Sequence, residues 1–206
     1  MVQASEFIDK ALMAALSLSA SRDWADITLA EIAEEADLNL SDFHGVAMKD
    51  DLVDAASRYF DRAMSAEEVD ASETVRERLF EVIMLRFEAM EACRDGLLSM
   101  MKYQDKSVAR TSALFKARGD SARWALVAAK LDDMAAGPFA LKTVAVAWII
   151  RKTEHAWRRD SDGDFAKTMA MLDRELRAAE ERKSWMTRLP LRNRARSKPE
   201  TAGADE

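Results

Sequence analysis

The fold of this protein is decided by a stretch near its N-terminus, residues 24–44, whose sequence is WADITLAEIAEEADLNLSDFH. Within it, Thr28 is followed three residues later by Glu31, which is the spacing of a capping box in which each side chain bonds the other residue's backbone N–H. Apolar residues then recur at helical spacing. The stretch therefore predicts a short capped helix over 29–36.

Two more helices are predicted beside this one. Upstream, apolar residues at steps of three and four predict an amphipathic helix over 5–21. Downstream, residues 37–39 break the pattern, and Ser41 is placed to cap a third short helix that reaches about Val46. The expected core anchors of this third helix are Leu40 and Phe43. Residues 1–50 are thus expected to form a three-helix domain.

The remainder of the chain also has a helical composition. Among its 206 residues only 6 are Gly and 3 are Pro, while 49% are hydrophobic and 33% are charged. Such a chain has enough apolar material for a core but too few turn residues for an all-β sandwich. Helices are predicted over 50–64, 75–92, 97–103, 105–117, 120–134, 139–159 and 163–186, with an acidic linker over 65–73. The predicted fold class is all-α.

No segment has the pattern of a membrane span or a secretory signal. The longest apolar run, residues 143–150, is far shorter than the roughly 20 residues of a spanning helix. Near the N-terminus, Glu6, Asp9 and Lys10 interrupt any apolar stretch that a signal peptide would need. A cytoplasmic protein is expected.

Charge is distributed unevenly along the chain. Residues 1–51 hold eleven acids and three bases, a net charge of −8, although the whole chain has a net charge of only −6. Residues 182–198 hold seven bases and no acid. The sequence therefore has an acidic N-terminal domain and a basic C-terminal segment.

The sequence offers little catalytic or metal-binding chemistry. It has no glycine-rich phosphate loop, no Gly-x-Ser-x-Gly and no His-Glu-x-x-His. Cys93 is the single cysteine, and His44 and His155 are the two histidines. We therefore expect no enzymatic activity, no cofactor and no metal site. The twelve methionines suit core packing or an adaptable apolar pocket.

The N-terminal pattern resembles the helix-turn-helix domain of the TetR family. The matching segments are Phe7-Ile8-Asp9-x-Ala11-Leu12, Trp24-x-x-Ile27-Thr28-Leu29 and Glu31-Ile32-Ala33-x-x-Ala36. The resemblance implies a helix-turn-helix head over residues 1–50 and a helical ligand-binding domain over 51–182 that forms a homodimer through its last two helices. Residues 183–206 would be a flexible tail, first basic and then acidic. In a DNA-binding head, the contacts would come from Thr28, Asn39, Ser41, His44 and Lys49.

The head departs from the TetR pattern in ways that disfavour DNA. Asp37 stands where the family has a turn glycine, and His44-x-x-Ala47-x-Lys49 is one residue shorter than the usual Tyr-x-x-Phe-x-x-Lys. From residue 28 to residue 51 there are seven acids and one base. Because non-specific DNA affinity comes almost wholly from cationic groups that displace counterions, an acidic head should be repelled. The alternative is a helix-turn-helix retained only as a packing unit.

The C-terminal half is similar to the TetR-fold lipid-binding proteins that assist coenzyme Q biosynthesis. The similarity is in Thr153-Glu154, Asp160-Ser161, Asp164-Phe165-x-x-Thr168-Met169 and Leu172-Asp173-Arg174-x-Leu176. It implies an apolar cavity for an isoprenoid lipid, a peripheral membrane habit and a partner hydroxylase. The candidate lining residues, from helices between 75 and 159, are Ile83, Phe87, Trp124, Val127, Leu131, Val144 and Trp148.

The basic segment 182–198 also contains apolar residues, a combination suited to an anionic membrane surface. Each base near such a surface contributes about 1 kcal/mol. The candidate membrane contacts are Lys183, Trp185, Arg188 and Arg192. The alternatives are a disordered basic tail and a weak attraction to DNA.

From the sequence we predict a non-enzymatic, homodimeric TetR-like protein that binds a hydrophobic small molecule or isoprenoid lipid. It would be cytoplasmic, with peripheral contact at the inner face of the membrane, and would serve as an accessory factor in ubiquinone biosynthesis. The alternative is a DNA-binding repressor that responds to a small hydrophobic ligand, which we place second because of the acidic head.

Overall fold

The structure is a computed structural model that describes residues 2–106, 108–132, 139–161 and 163–188, with side chains described for 5–106, 116–132, 139–161 and 163–182. Its helices are α1 (Val2–Ser21), α2 (Leu29–Glu35), α3 (Lys49–Asp61), α4 (Val75–Glu91), α5 (Arg94–Asp105), α6 (Val108–Ala128), α7 (Phe139–Trp157) and α8 (Ala166–Arg188). Short 3-10 turns occupy Trp24–Asp26, Leu40–Phe43 and Arg62–Ser65. The described part contains no strand, which confirms the all-α prediction, and none of its helices is long and apolar enough to span a membrane.

The head is built on the capping box that the sequence predicts. The Thr28 hydroxyl accepts a bond from the backbone N–H of Glu31 at 3.2 Å, and the Glu31 carboxylate accepts one from the backbone N–H of Thr28 at 2.7 Å. Trp24 and Phe43 are fully buried, and Phe7 meets Phe43 edge to face with ring centroids 4.8 Å apart. Short-range hydrogen bonds start α2, and the contact of Phe7 with Phe43 holds the 3-10 turn Leu40–Phe43 against α1.

The predicted third helix is reduced to the single 3-10 turn Leu40–Phe43. Ser41 does not cap it, because the residue before the turn is Asn39, whose side chain bonds Asp42 instead of a backbone group. The prediction that Leu40 is a core anchor is wrong, since its side chain is half exposed, whereas Phe43 is buried as predicted. One turn is too short to bury two anchors on the same side.

The turn between α2 and this 3-10 turn accommodates Asp37 where a glycine was expected. Asp37 has φ +49°, and the backbone N–H groups of Leu38 and Asp37 bond the carbonyls of Ala33 and Glu34 at 2.9 and 3.0 Å. This is a Schellman motif, whose left-handed residue is usually glycine. The turn therefore keeps its geometry at the cost of a left-handed aspartate.

The segment predicted as two helices, 105–117 and 120–134, is mostly one continuous helix, α6. No proline or cap interrupts it, and Gly119 lies within it. Glycine inside a helix costs only about 1 kcal/mol relative to alanine. Burial of the residues that follow it outweighs this cost. Those buried residues are Ala122, Ala125, Leu126 and Ala129.

The two parts of the chain share a close junction. Helix α1 packs along α5, while α4 lies between α3, α6 and α8, and α6 to α8 pack side by side. At Gly96 the backbones of α5 and α1 approach so closely that an added Cβ would lie 2.2 Å from the carbonyl oxygen of Leu16. A residue without a side chain is therefore required where the head meets the second domain.

Candidate functional site

The surface where a DNA-reading helix would stand carries no outward base. Lys49 is the one base between residues 28 and 51, and its ammonium group donates to the backbone carbonyls of Trp24 and Ile27. It also lies 4.5 Å from the centroid of the Trp24 ring. The lysine therefore stabilises the end of the first 3-10 turn by hydrogen bonds and a cation–π contact. Its charge is directed at the protein instead of at solvent.

Of the other predicted DNA contacts, some take part in intramolecular hydrogen bonds and others are exposed. The Thr28 hydroxyl belongs to the capping box, and the Asn39 amide donates to Asp42 at 3.1 Å. Ser41 and His44 lie exposed on or beside the 3-10 turn. Ser41 and His44 are thus exposed at the turn, whereas the polar groups of Thr28, Asn39 and Lys49 take part in intramolecular hydrogen bonds.

Acidic and apolar side chains cover the rest of this surface. Asp42 and Asp50 are exposed, as are Leu40, Val46 and Met48. Nearby, hydrogen bonds from Arg22 and from the backbone and hydroxyl of Thr28 lower the pKa of Glu31 to about 2. Glu31 therefore keeps its negative charge at physiological pH, and the turn Leu40–Phe43 has no base to offset phosphate repulsion.

The second domain contains a small, partly enclosed cavity of about 50 Å³, at the point where α3, α4, α5, α6 and α7 converge. Most of its wall is apolar, supplied by Val53, Ala56, Phe60, Met90, Leu97, Met100, Met101 and Ala117. The polar lining residues are Asp54, Ser57, Arg86, Gln104, Arg118 and Glu154. An apolar cavity with a few converging polar groups is the usual form of a small-molecule site.

One polar network beside the cavity joins α4 to α3 and α6. The Arg86 guanidinium donates from Nε to Asp61 Oδ1 at 2.7 Å, and the Ser121 hydroxyl donates to Asp61 Oδ2 at 2.6 Å. The second contact of Arg86, from Nη1, is to the Met90 sulfur at 3.0 Å. A thioether is a weak acceptor, so this nitrogen has little of its hydrogen-bonding capacity used.

A second network is centred on Glu154, which lies on α7 and is almost fully buried. Its Oε1 accepts from Arg118 Nη2 at 2.9 Å and from Arg158 Nη2 at 2.6 Å, and Arg158 also donates to the exposed Asp105 at 2.7 Å. Burial raises the pKa of Glu154, but the guanidinium groups of Arg118, Arg158 and Arg86 outweigh this and hold the pKa below its ordinary value. The carboxylate is therefore ionised inside the domain.

The structure places the seven residues predicted to line a cavity elsewhere. Ile83 and Phe87 are fully buried in the core, and Leu131 is half-buried. Trp124, Val127, Val144 and Trp148 are 41% to 68% exposed. None of the seven lines the 50 Å³ cavity, because α4 turns its Arg86 and Met90 side toward it and α7 turns its Glu154 side. As ligand contacts they stay a prediction.

The charged residues of the cavity were not predicted as site residues from the sequence, although the sequence pattern contains a sign of them. Arg86 lies four residues after Val82 and four before Met90, within the buried stripe of α4. A charge at such a position is almost always paired or functional. Glu154 similarly follows the apolar run of α7 by one turn.

Other candidate features contribute less. Two open grooves of about 580 and 490 Å³ lie between α4 and α8 and between α1 and the α4–α5 junction. Among the described residues, no three His, Cys, Asp or Glu side chains form a metal-binding group. Of the predicted membrane contacts, the side chains of Lys183, Trp185 and Arg188 and the whole of Arg192 lie outside the described residues.

Comparison with known proteins places the fold. No family model and no curated protein matches the chain. A solved TetR transcriptional regulator from Nitrosomonas europaea ATCC 19718 is 21% identical over 85% of this chain and 98% of its own, with a TM-score of 0.69. Another, from Rhodococcus sp. RHA1, is 14% identical over 85% of this chain and 95% of its own, with a TM-score of 0.62. This chain therefore has the TetR fold, with its helix-turn-helix head and helical second domain.

Proposed function

We propose that this chain is a non-enzymatic TetR-fold protein that binds a small, largely apolar molecule in the cavity between α3 and α7 and does not use its head to read DNA. The observation that carries the proposal is the cavity itself, where five helices converge on apolar walls and a few charged groups. Most small-molecule sites in proteins have this composition.

The cavity is small, so binding requires the walls to move. About 50 Å³ accommodates a few water molecules or a small functional group. Met90, Met100 and Met101 form part of the wall, and unbranched methionine side chains change rotamer readily. A ligand larger than the cavity would enter by displacing these side chains.

Against DNA reading stand the inward-directed Lys49 and the acidic surface around the 3-10 turn. A single 3-10 turn also presents fewer side chains than the recognition helix that lies in the major groove in helix-turn-helix proteins. We propose that the head serves as a packing unit, whose helix α1 packs against α5 and α3.

A homodimer is part of the proposal. The exposed apolar side chains of α6 and α7 form what we call the α6–α7 face, made of Trp124, Val127, Leu141, Val144 and Trp148. A cluster of exposed large apolar residues marks a contact surface more often than open solvent. Val144→Asp should therefore give a monomer in light scattering, while Val46→Asp on the head should leave the oligomeric state unchanged. A dimeric Val144→Asp protein would contradict the use of this face.

The second candidate function is transcriptional regulation. It is favoured by the two structural neighbours, which are TetR transcriptional regulators and which this chain covers to 98% and 95% of their lengths. The isoprenoid ligand, the ubiquinone-related role and the membrane contact through residues 182–198 stay predictions that depend on sequence resemblance and composition.

Fluorescence anisotropy separates the two candidates. The full-length protein is titrated onto the DNA upstream of its own gene and onto random duplex, at about 50 and 200 mM salt, where phosphate contacts produce a steep loss of affinity. We expect no sequence-selective binding. Tight, selective and salt-sensitive binding would instead make the protein a DNA-binding regulator.

A further inference from the structure

Two arginines that line the cavity have N–H donors that the protein itself leaves unused or poorly used. Arg86 and Arg118 both line it, from α4 and α6. A guanidinium carries five N–H donors and accepts nothing. In the described part of the chain, the recorded partner of Arg118 is Glu154, through Nη2, while its Nε is buried and has no partner. The Nη1 of Arg86 contacts only a weak acceptor, the Met90 sulfur.

The buried carboxylates beside these arginines accept hydrogen bonds from protein groups. Glu154 is shared between Arg118 and Arg158 through the same oxygen, Oε1. Asp61 accepts from Arg86 and from Ser121 through its two oxygens. Three guanidinium groups therefore surround two buried carboxylates, and the further acid bonded to Arg158, Asp105, is more than half exposed. Buried N–H donors without acceptors are costly, each by about 1–3 kcal/mol.

The apolar lining residues of α3 and α5 favour a hydrocarbon body. Phe60, Leu97 and Met100 are buried residues from α3 and α5 that face the same space. Asp54, the remaining acid of the lining, is exposed on α3, where solvent screens its charge. The lining thus combines guanidinium donors from α4 and α6 with apolar side chains from α3 and α5.

We propose that the ligand of this cavity is an amphipathic carboxylate, whose oxygens accept hydrogen bonds from Arg118 and Arg86 and whose apolar body packs against α3 and α5. This inference rests on the proposed ligand-binding function. The ligand carboxylate supplies acceptors for the unused N–H groups of the two lining arginines. Charge-assisted bonds from a guanidinium to a carboxylate are among the stronger hydrogen bonds in proteins.

The test compares octanoate with 1-octanol by isothermal titration calorimetry on the full-length protein, because these probes differ only in the head group. We expect octanoate to bind at least about tenfold more tightly, the factor expected for a hydrogen bond to a charged group. Arg118→Gln should abolish this preference by weakening octanoate while leaving octanol unchanged. Arg118→Lys, which keeps the charge but loses Nε, should retain part of the preference for octanoate. It provides the test if Arg118→Gln does not fold.

Two matched variants test the location of the site. Arg123→Gln removes an exposed arginine of the same helix, and Arg76→Gln removes one that lines the open groove between α4 and α8. Neither should change the preference for octanoate. A preference lost in Arg76→Gln but kept in Arg118→Gln would overturn the proposal by placing the anion in the groove.

The remaining outcomes separate this inference from the proposed function. Equal binding of octanoate and octanol, with no effect of Arg118→Gln, would overturn the carboxylate assignment but leave a ligand-binding cavity. Failure of both probes to bind would contradict the cavity as a ligand site and the carboxylate assignment with it.

Discussion

The head and the second domain use charge in opposite ways. In the head, acids cover the surface and the one base of the recognition region is directed at backbone carbonyls. In the second domain, arginines are carried inside and meet a small number of buried carboxylates. An exposed charge costs little and is screened, whereas a buried one must be paired and is sensitive to every neighbour. The difference suggests that the head is a scaffold and that the cavity is where recognition occurs.

The largest effect is expected from breaking a buried ion pair of the second domain. Arg86 and Asp61 are 2.7 Å apart, with side chains only 6% and 10% exposed. Arg86→Ala leaves the Asp61 carboxylate without its cation and should lower the free energy of unfolding by about 3–5 kcal/mol. Urea denaturation measures the loss.

The matched control is Arg123→Ala, which breaks an ion pair whose side chains are 63% and 50% exposed. It should change the free energy of unfolding by less than about 1 kcal/mol, as surface ion pairs do. Similar losses in the two variants would remove the contrast between buried and exposed charge.

The junction between the head and the second domain gives the next largest effect. In Gly96→Ala the new Cβ would lie 2.2 Å from the Leu16 carbonyl oxygen, so α1 and α5 must separate. Overpacking of this kind should cost about 1–3 kcal/mol. Thermal unfolding of the variant tests this.

Gly119→Ala is the control for this junction. Nothing lies within 4 Å of the Cβ that it would add inside α6. The substitution should stabilise the protein by about 0.5–1 kcal/mol, because alanine has the better helix propensity. Destabilisation by both alanines would show that the close approach is not the cause.

The acid dependence of stability should distinguish the two regions. Because the folded-state pKa of Glu154 lies below its ordinary value of 4.5, its ionised form stabilises the native state. That contribution is complete at pH values above about 4.5 and is lost as the pH falls through the lower folded-state pKa. The stability difference between the wild type and Glu154→Gln should therefore shrink as pH falls from 7 toward 3.

Glu31→Gln is the corresponding head variant. The pKa of Glu31 is about 2, so its contribution should persist to more acidic pH than an ordinary glutamate's. Unfolding midpoints at pH 7, 5, 4 and 3 for both variants check these expectations. A Glu154→Gln difference that grew on acidification would contradict the direction of its pKa shift.

The smallest effect is expected at the turn of the head. Asp37→Gly places glycine at φ +49° and should raise the free energy of unfolding by roughly 1 kcal/mol, since a left-handed backbone is strained for other residues. Asp37→Ala removes the charge but keeps the strain, and so should give no such gain. If both variants are equally stabilised, charge repulsion in the head is the cause instead.

Predictions from sequence were most accurate where the contacts are short in range. The capping box of Thr28 and Glu31 forms as predicted because both partners lie within one helical turn. Phe43 is buried as predicted, but Leu40 is not, because a 3-10 turn replaced the expected helix. The two helices predicted on either side of Gly119 merged, because tertiary burial outweighs a weak helix former.

The sequence could not predict which residues meet at the cavity, because they come from different helices. Arg86, Arg118 and Glu154 come from three helices, and Ser57 comes from a fourth. Periodicity identifies the buried face of each helix separately but does not give the rotation of one helix against another. Trp124 and Trp148 were expected inside for this reason, and the structure places both on the surface.

The sequence by itself determined the all-α class, the capped helix of the head and the acidic charge that opposes DNA, because helical periodicity, capping and net charge are properties of neighbouring residues or of composition. Only the tertiary structure decided where the charges point. Lys49 faces carbonyls more than twenty residues away in the chain, and the arginines of α4 and α6 face one cavity. Both depend on how helices distant in sequence pack together, which is set by burial over the whole domain.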